Sequence, residues 1–125
     1  MPYEIEYDPA TSCMMCGLTG NVGQDLIMEF ASALAPLMEE HRCTRVLNDF
    51  RGADLSVSYF DIYKIPKLPS VLKMTRLTRR ALLLDELPAE ISSYEDMSVN
   101  QGQFVKAFTD LGEAILWLTG DIFDV

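Results

Sequence analysis

Two cysteines spaced Cys13-x-x-Cys16 are the first residues in this chain whose types and spacing could do chemistry. Such a pair serves thiol redox chemistry when a helix N-terminus lowers a thiol pKa, or supplies half of a zinc site. Here it lies in an apolar run that reads as a strand. Residues three apart on a strand point to opposite faces, so the two sulfurs should diverge. Only Cys43 and His41 could complete a metal set, and their neighbours predict a helix end and a loop. The reading is therefore of small buried hydrophobes, with no cofactor and no metal. His41 is the single histidine; it falls in the last turn of a helix, where a cation suits the dipole.

Asp49 and Asp54 are the next candidates. They lie at the end of a central strand and in the loop after it, the sheet edge where open α/β domains bind ligands. Two carboxylates there could do acid–base work, cap a helix or pair with Arg51. Ser56 and Ser58 follow as hydroxyls at a helix start, where an N-cap is the simplest role. Gly17-x-x-Gly20-x-x-Gly23 has the wrong spacing for a dinucleotide fingerprint. No Ser/His/Asp arrangement or phosphate loop is recognisable.

Charge is unevenly placed. Positions 64–80 carry Lys64, Lys67, Lys73, Arg76, Arg79 and Arg80 and no acid, although the chain as a whole is at −9. This segment reads either as an anion-attracting docking patch or as a solvated face that balances nearby acids. Interleaved Ile65, Leu68, Val71, Leu72, Met74 and Leu77 make it amphipathic. The seven methionines fill either a core or an adaptable apolar groove.

The elements that must position these residues follow from periodicity. Tyr3-Glu4-Ile5-Glu6-Tyr7 alternates with period two and predicts a strand. With the run from Cys13 it forms an antiparallel hairpin around the turn at Asp8-Pro9. Leu26, Ile27, Phe30, Leu34, Leu37 and Met38 mark one face of a helix over 23–41, which Pro36 should kink or break. Strands are expected at 44–50, 79–85 and 104–108, with helical pieces from Ser56, over 90–99, and over the last stretch from Thr109 or Asp110 to Gly120. The order β-β-α-β-α-β-α-β-α predicts a single α/β domain over 1–125. Its mixed sheet has four to five strands, the later ones mostly parallel, flanked by about four helices.

Several motifs resemble the STAS-like (SpoIIAA-like) family. They are Asn100-x-Gly102, Val105-x-x-Phe108-Thr109-Asp110 and Glu113-Ala114-x-x-Trp117-Leu118 near the C-terminus, Arg45-Val46-Leu47-x-Asp49-x-Arg51 with Leu55-Ser56, and Arg80-Ala81-Leu82-Leu83. The resemblance implies a non-catalytic module that binds a protein partner. Regulatory members carry an Asp-Ser-Ser/Thr-Gly segment in which a serine is phosphorylated. The matching stretch here, Asp54-Leu55-Ser56-Val57-Ser58-Tyr59, has no glycine, and Ser56 and Ser58 are the candidate phosphoacceptors. Partner or ligand contacts are expected at Asp49, Asp54, Lys64, Lys67, Lys73 and Arg76. The alternative is a carrier of a small amphipathic anion or lipid in an apolar groove beside 64–80.

Composition sets outer bounds. The 125 residues, 49% hydrophobic and 23% charged, suit one globular domain. The acidic balance argues against nucleic acid. No apolar run is long enough for a transmembrane helix, and the first residues lack the pattern of a secretory signal. A cytoplasmic protein is expected. Sheet edges and the apolar tail at 121–125 make a homodimer a further expectation.

Overall fold

The computed structural model describes residues 3–55, 79–87, 91, 95, 96 and 104–120. Seven strands and two helices lie among them. The strands are β1 (Tyr3–Asp8), β2 (Cys13–Leu18), β3 (Asn21–Val22), β4 (Arg45–Asp49), β5 (Asp54–Leu55), β6 (Arg79–Leu83) and β7 (Phe104–Phe108). The helices are α1 (Gln24–His41) and α2 (Leu111–Thr119). Five strands form one sheet in the order β1-β2-β4-β6-β7. β1 runs antiparallel to β2 in the expected hairpin; β2, β4, β6 and β7 pair in parallel. The α/β architecture and mixed sheet agree with the sequence reading. Of the four expected helices, two are seen among the described residues. Ile91, Glu95 and Asp96 are also helical. The helical piece expected from Ser56 and most of 90–99 lie outside the described residues.

Side chains alternate across the sheet and build two layers. Met14, Cys16, Leu18 and Val46 face α1, which buries Phe30, Ala31, Leu34 and Met38 against them. Cys13, Leu47, Ala81, Leu83 and Phe108 face the other way and pack on Ala114 and Leu118 of α2. Leu82, Leu84, Val105 and Ala107 extend the α1 layer towards β7, with Ile27 and Phe50 against them. Leu34 is fully buried; truncating such a leucine to alanine costs about 2–5 kcal/mol.

Pro36 neither breaks α1 nor ends it: the helix runs through it to His41. Pro36 and Ser32, the residue whose carbonyl loses its helical donor, both face solvent. Water can satisfy that carbonyl, while Leu34 and Met38 hold the inner face. Arg42 closes the helix in the left-handed region at φ 51°, and the Cys43 N–H donates to Met38 O at 2.8 Å. His41 is exposed and stacks on Tyr7, ring centres 4.3 Å apart.

The run of basic residues at 64–80 divides. Arg79 and Arg80 are buried within β6, at 9% and 4% exposure, and belong to no surface patch. A central strand of a parallel sheet is covered on both faces, so even its first residues are enclosed. The Arg79 guanidinium reaches the C-terminal end of α2. Its Nη1 donates to Trp117 O at 3.3 Å, Leu118 O at 3.2 Å and Gly120 O at 2.6 Å. These are carbonyls a helix end leaves without partners, at the negative end of its dipole. At the other end of α2, Asp110 accepts the Glu113 N–H at 2.9 Å, the expected N-cap.

Candidate functional site

The candidate site sits where β2, β4 and β6 end together. The chain leaves β4 at Asp49 and turns over Phe50–Ala53, with Ala53 N–H donating to Phe50 O at 3.0 Å. Gly52 holds φ +77° in this turn, a conformation that strains any side chain. Asp49 clamps the turn from one side. It accepts the Arg51 backbone N–H at 3.0 Å, and its carboxylate meets the Arg51 guanidinium through Nε at 3.1 Å and Nη2 at 3.0 Å. Asp85, just past β6, clamps it from the other side by accepting the Gly52 N–H at 2.8 Å. Phe50 N–H donates to Leu83 O at 2.8 Å, which extends the β4–β6 pairing into the turn.

A second tie joins this turn to the loop after β2. Asp54 N–H donates to Gly20 O at 2.8 Å, and β5 pairs in parallel with β3, Asn21 against Asp54 and Val22 against Leu55. Two residues per strand are too few for any periodic signal, so this small sheet was not legible in sequence. α1 starts directly after β3, and its N-cap, Gly23, offers no side-chain cap. The ends of three strands, one helix start and the β5 exit are thus tied into one surface.

The two candidate carboxylates play different parts. Partial burial pushes the Asp49 carboxyl upward, but the hydrogen bonds and charge of Arg51 outweigh it and hold the pKa below the ordinary value. Arg51 is shifted up in return, chiefly by its hydrogen bond to Asp49. Asp49 is therefore an ionised clamp rather than a proton donor poised near neutrality. Asp54 is exposed on β5. Ser56, Ser58, Lys64, Lys67, Lys73 and Arg76 lie outside the described residues.

One residue that sequence reasoning passed over lies just beneath. Asn48 is 3% exposed on the α1 face of β4, and its Oδ1 meets no hydrogen-bond donor among the described residues. The cysteines behave as small hydrophobes on opposite faces, Cys13 in the α2 layer and Cys16 with Cys43 in the α1 layer. All three are unpaired as disulfides. Burial pushes the Cys13 thiol up and the Cys16 thiol up to about 12, so neither is a ready thiolate. Among the described residues, no three His, Cys, Asp or Glu side chains gather as a metal site, and no helix is long and apolar enough to cross a membrane.

The five-stranded mixed sheet with helices on both faces is a SpoIIAA-like fold. Comparison with solved structures bears this out. The chain is similar to an uncharacterised DUF3478 protein of SpoIIAA-like fold from Shewanella loihica PV-4. The TM-score is 0.63 and the identity 16%, over 93% of each chain. It is also similar to the anti-sigma factor antagonist SpoIIAA in its unphosphorylated form, with TM-score 0.56 and 13% identity, over 94% of this chain and 98% of that one. At these identities the likeness is one of fold. No family model and no curated protein matches the chain.

Proposed function

We propose that this chain is a non-catalytic regulatory module that binds a protein partner through the surface at the β4–β5 exit, under control of modification at Ser56 or Ser58. The observation that carries this reading is the clamped exit itself. Asp49–Arg51, Asp85–Gly52 and the β3–β5 pairing fix the backbone up to Leu55, one residue before Ser56. A surface held before binding loses little entropy on binding. A phosphate there would add about −1.5 to −2 charges beside the exposed Asp54, enough to form or destroy an interface. The fold shared with an anti-sigma factor antagonist supports the reading.

The test is native mass spectrometry of protein purified from its own source, followed by capture of partners on the wild type, Asp54→Lys, Ser56→Asp and Ser58→Asp. A phosphate mass on Ser56 or Ser58, and partner loss with Asp54→Lys, are expected. A partner held equally by all four proteins refutes the reading. A large non-covalent adduct would instead favour a carrier of an amphipathic anion beside Lys64, Lys67, Lys73 and Arg76. The same spectrum reads whether the chain is a homodimer.

A further inference from the structure

The sheet has two lateral edges, and they are treated differently. On β7 the Ala107 N–H, which faces away from β6, is taken by the Glu95 carboxylate at 3.1 Å. That side chain occupies the edge where another strand would begin to pair. At the other edge stands β1, six residues long, with no described strand on its outer side. Alternate backbone N–H and C=O groups of β1 bond to β2; the others point outward.

The two faces of β1 are also distinct. Tyr3, Ile5 and Tyr7 turn to the α1 layer and are only partly buried. Glu4 and Glu6 are exposed on the opposite face. On that face they stand opposite Gly17 and Met15 of β2. The helix on that side, α2, packs over β4, β6 and β7 instead. Neither β1 nor β2 contains a basic residue, and with Asp8 the ribbon carries three negative charges.

From this we infer that the β1 edge is a docking strand for an extended peptide in which basic and apolar residues alternate. The peptide adds as a sixth strand. Its lysines or arginines lie beside Glu4 and Glu6, and its apolar residues beside Tyr3, Ile5 and Tyr7. Main-chain bonds supply affinity, and the alternation selects the sequence. A second copy of β1 does not fit. An antiparallel copy centred on Ile5 sets Glu4 against Glu6, and like charges directly opposite destabilise a pair. The acids that deter self-pairing are thus the ones that select a basic strand. This surface is separate from the β4–β5 exit and does not rest on the function proposed there.

The probe is a synthetic peptide of alternating valine and lysine, compared with a block-ordered peptide of the same composition, by isothermal titration and amide NMR shifts. The alternating peptide should bind at least about tenfold tighter and shift the β1 amides, because only it places every cation on one face. The Glu4→Lys/Glu6→Lys protein should reject it and accept an alternating valine–glutamate peptide. Both positions are exposed, so folding should survive, as circular dichroism would verify. Should that variant fail to fold, an alternating peptide methylated at its backbone nitrogens decides on the wild type. Methylation keeps the charges and removes strand pairing, so loss of binding supports docking. Equal binding of the alternating, block and methylated peptides means a bare acidic patch and overturns the proposal, as does no binding at millimolar peptide.

Discussion

Replacing Arg79 by methionine should loosen α2 from the sheet, and the structure sets the size of the effect. Nη1 serves the carbonyls of Trp117, Leu118 and Gly120, but one nitrogen carries two hydrogens, so the three contacts amount to about two charge-assisted bonds. Bonds to a charged group contribute about 1.5–3 kcal/mol each, and a cation at a partly buried helix C-terminus up to about 2 kcal/mol. Against this, methionine needs no desolvation of a guanidinium, which returns part of the loss. A net cost of about 2–3 kcal/mol remains, or roughly 8–12 °C in Tm for a domain of this size. Trp117 is the only tryptophan and packs against Phe108, ring centres 5.8 Å apart. Its fluorescence reports α2 directly, while circular dichroism reports the whole fold. Urea denaturation followed by both should show the lower midpoint. Arg79→Lys should fall in between, since it keeps the charge but loses the planar fork. If Arg79→Met unfolds within about 0.5 kcal/mol of wild type, the helix-end tie is not stabilising and the reasoning fails.

Other outcomes follow from the same contacts. Asp110→Ala removes the N-cap of α2 and should cost about 1 kcal/mol by urea denaturation, with Asp110→Asn nearly neutral. The Cys16 thiol, raised to about 12 by burial, makes the fold alkali-sensitive. The unfolded chain ionises its thiol near 8.5 while the folded one does not, so stability is full below that value and falls as pH rises towards 12. Cys16→Ala should flatten this decline in denaturation curves taken across that range. Asp49, held below its ordinary pKa, stabilises above about pH 4, and the contribution is lost as pH falls through its folded value. In Arg51→Ala a carboxyl NMR titration should find Asp49 moved upward; an unmoved titration would mean that Arg51 is not its counter-ion.

The legible parts of this fold were those with a strong period. Alternation marked β1, the three- and four-residue spacing marked α1, and strand parity sent Cys13 and Cys16 to opposite layers. The illegible parts lacked a period or depended on tertiary context. β3 and β5 are two residues each and exist because the loops after β2 and β4 lie side by side. Pro36 is a breaker by type, yet its position on the solvent face lets α1 continue. Arg79 and Arg80 looked like the end of a charged segment. The run Ala81-Leu82-Leu83-Leu84 behind them was the available sign of an enclosed strand, and so of buried arginines. At the candidate site, Asp49 and Asp54 were singled out by their place after a central strand. Their division into clamp and exposed group needed the distances to Arg51, and Asp85 was missed because its partner is 33 positions away.

The mixture of strand directions has a kinetic consequence. The β1–β2 ribbon closes over a four-residue turn, and hairpins of this kind form in about 1–10 μs. Every other pairing in the main sheet is parallel and must wait for a crossover, the first of which carries all of α1 between Leu18 and Arg45. Closing such long loops costs entropy before any contact returns it. The hairpin is therefore the early, low-cost piece, and docking of β4 onto β2 is the step expected to limit the rate. Ile5→Ala in β1 should therefore slow folding with a high φ-value, because the hairpin is already formed when β4 docks, and Val46→Ala in β4 should slow it with a fractional one; a φ near zero at Ile5 would refute this order.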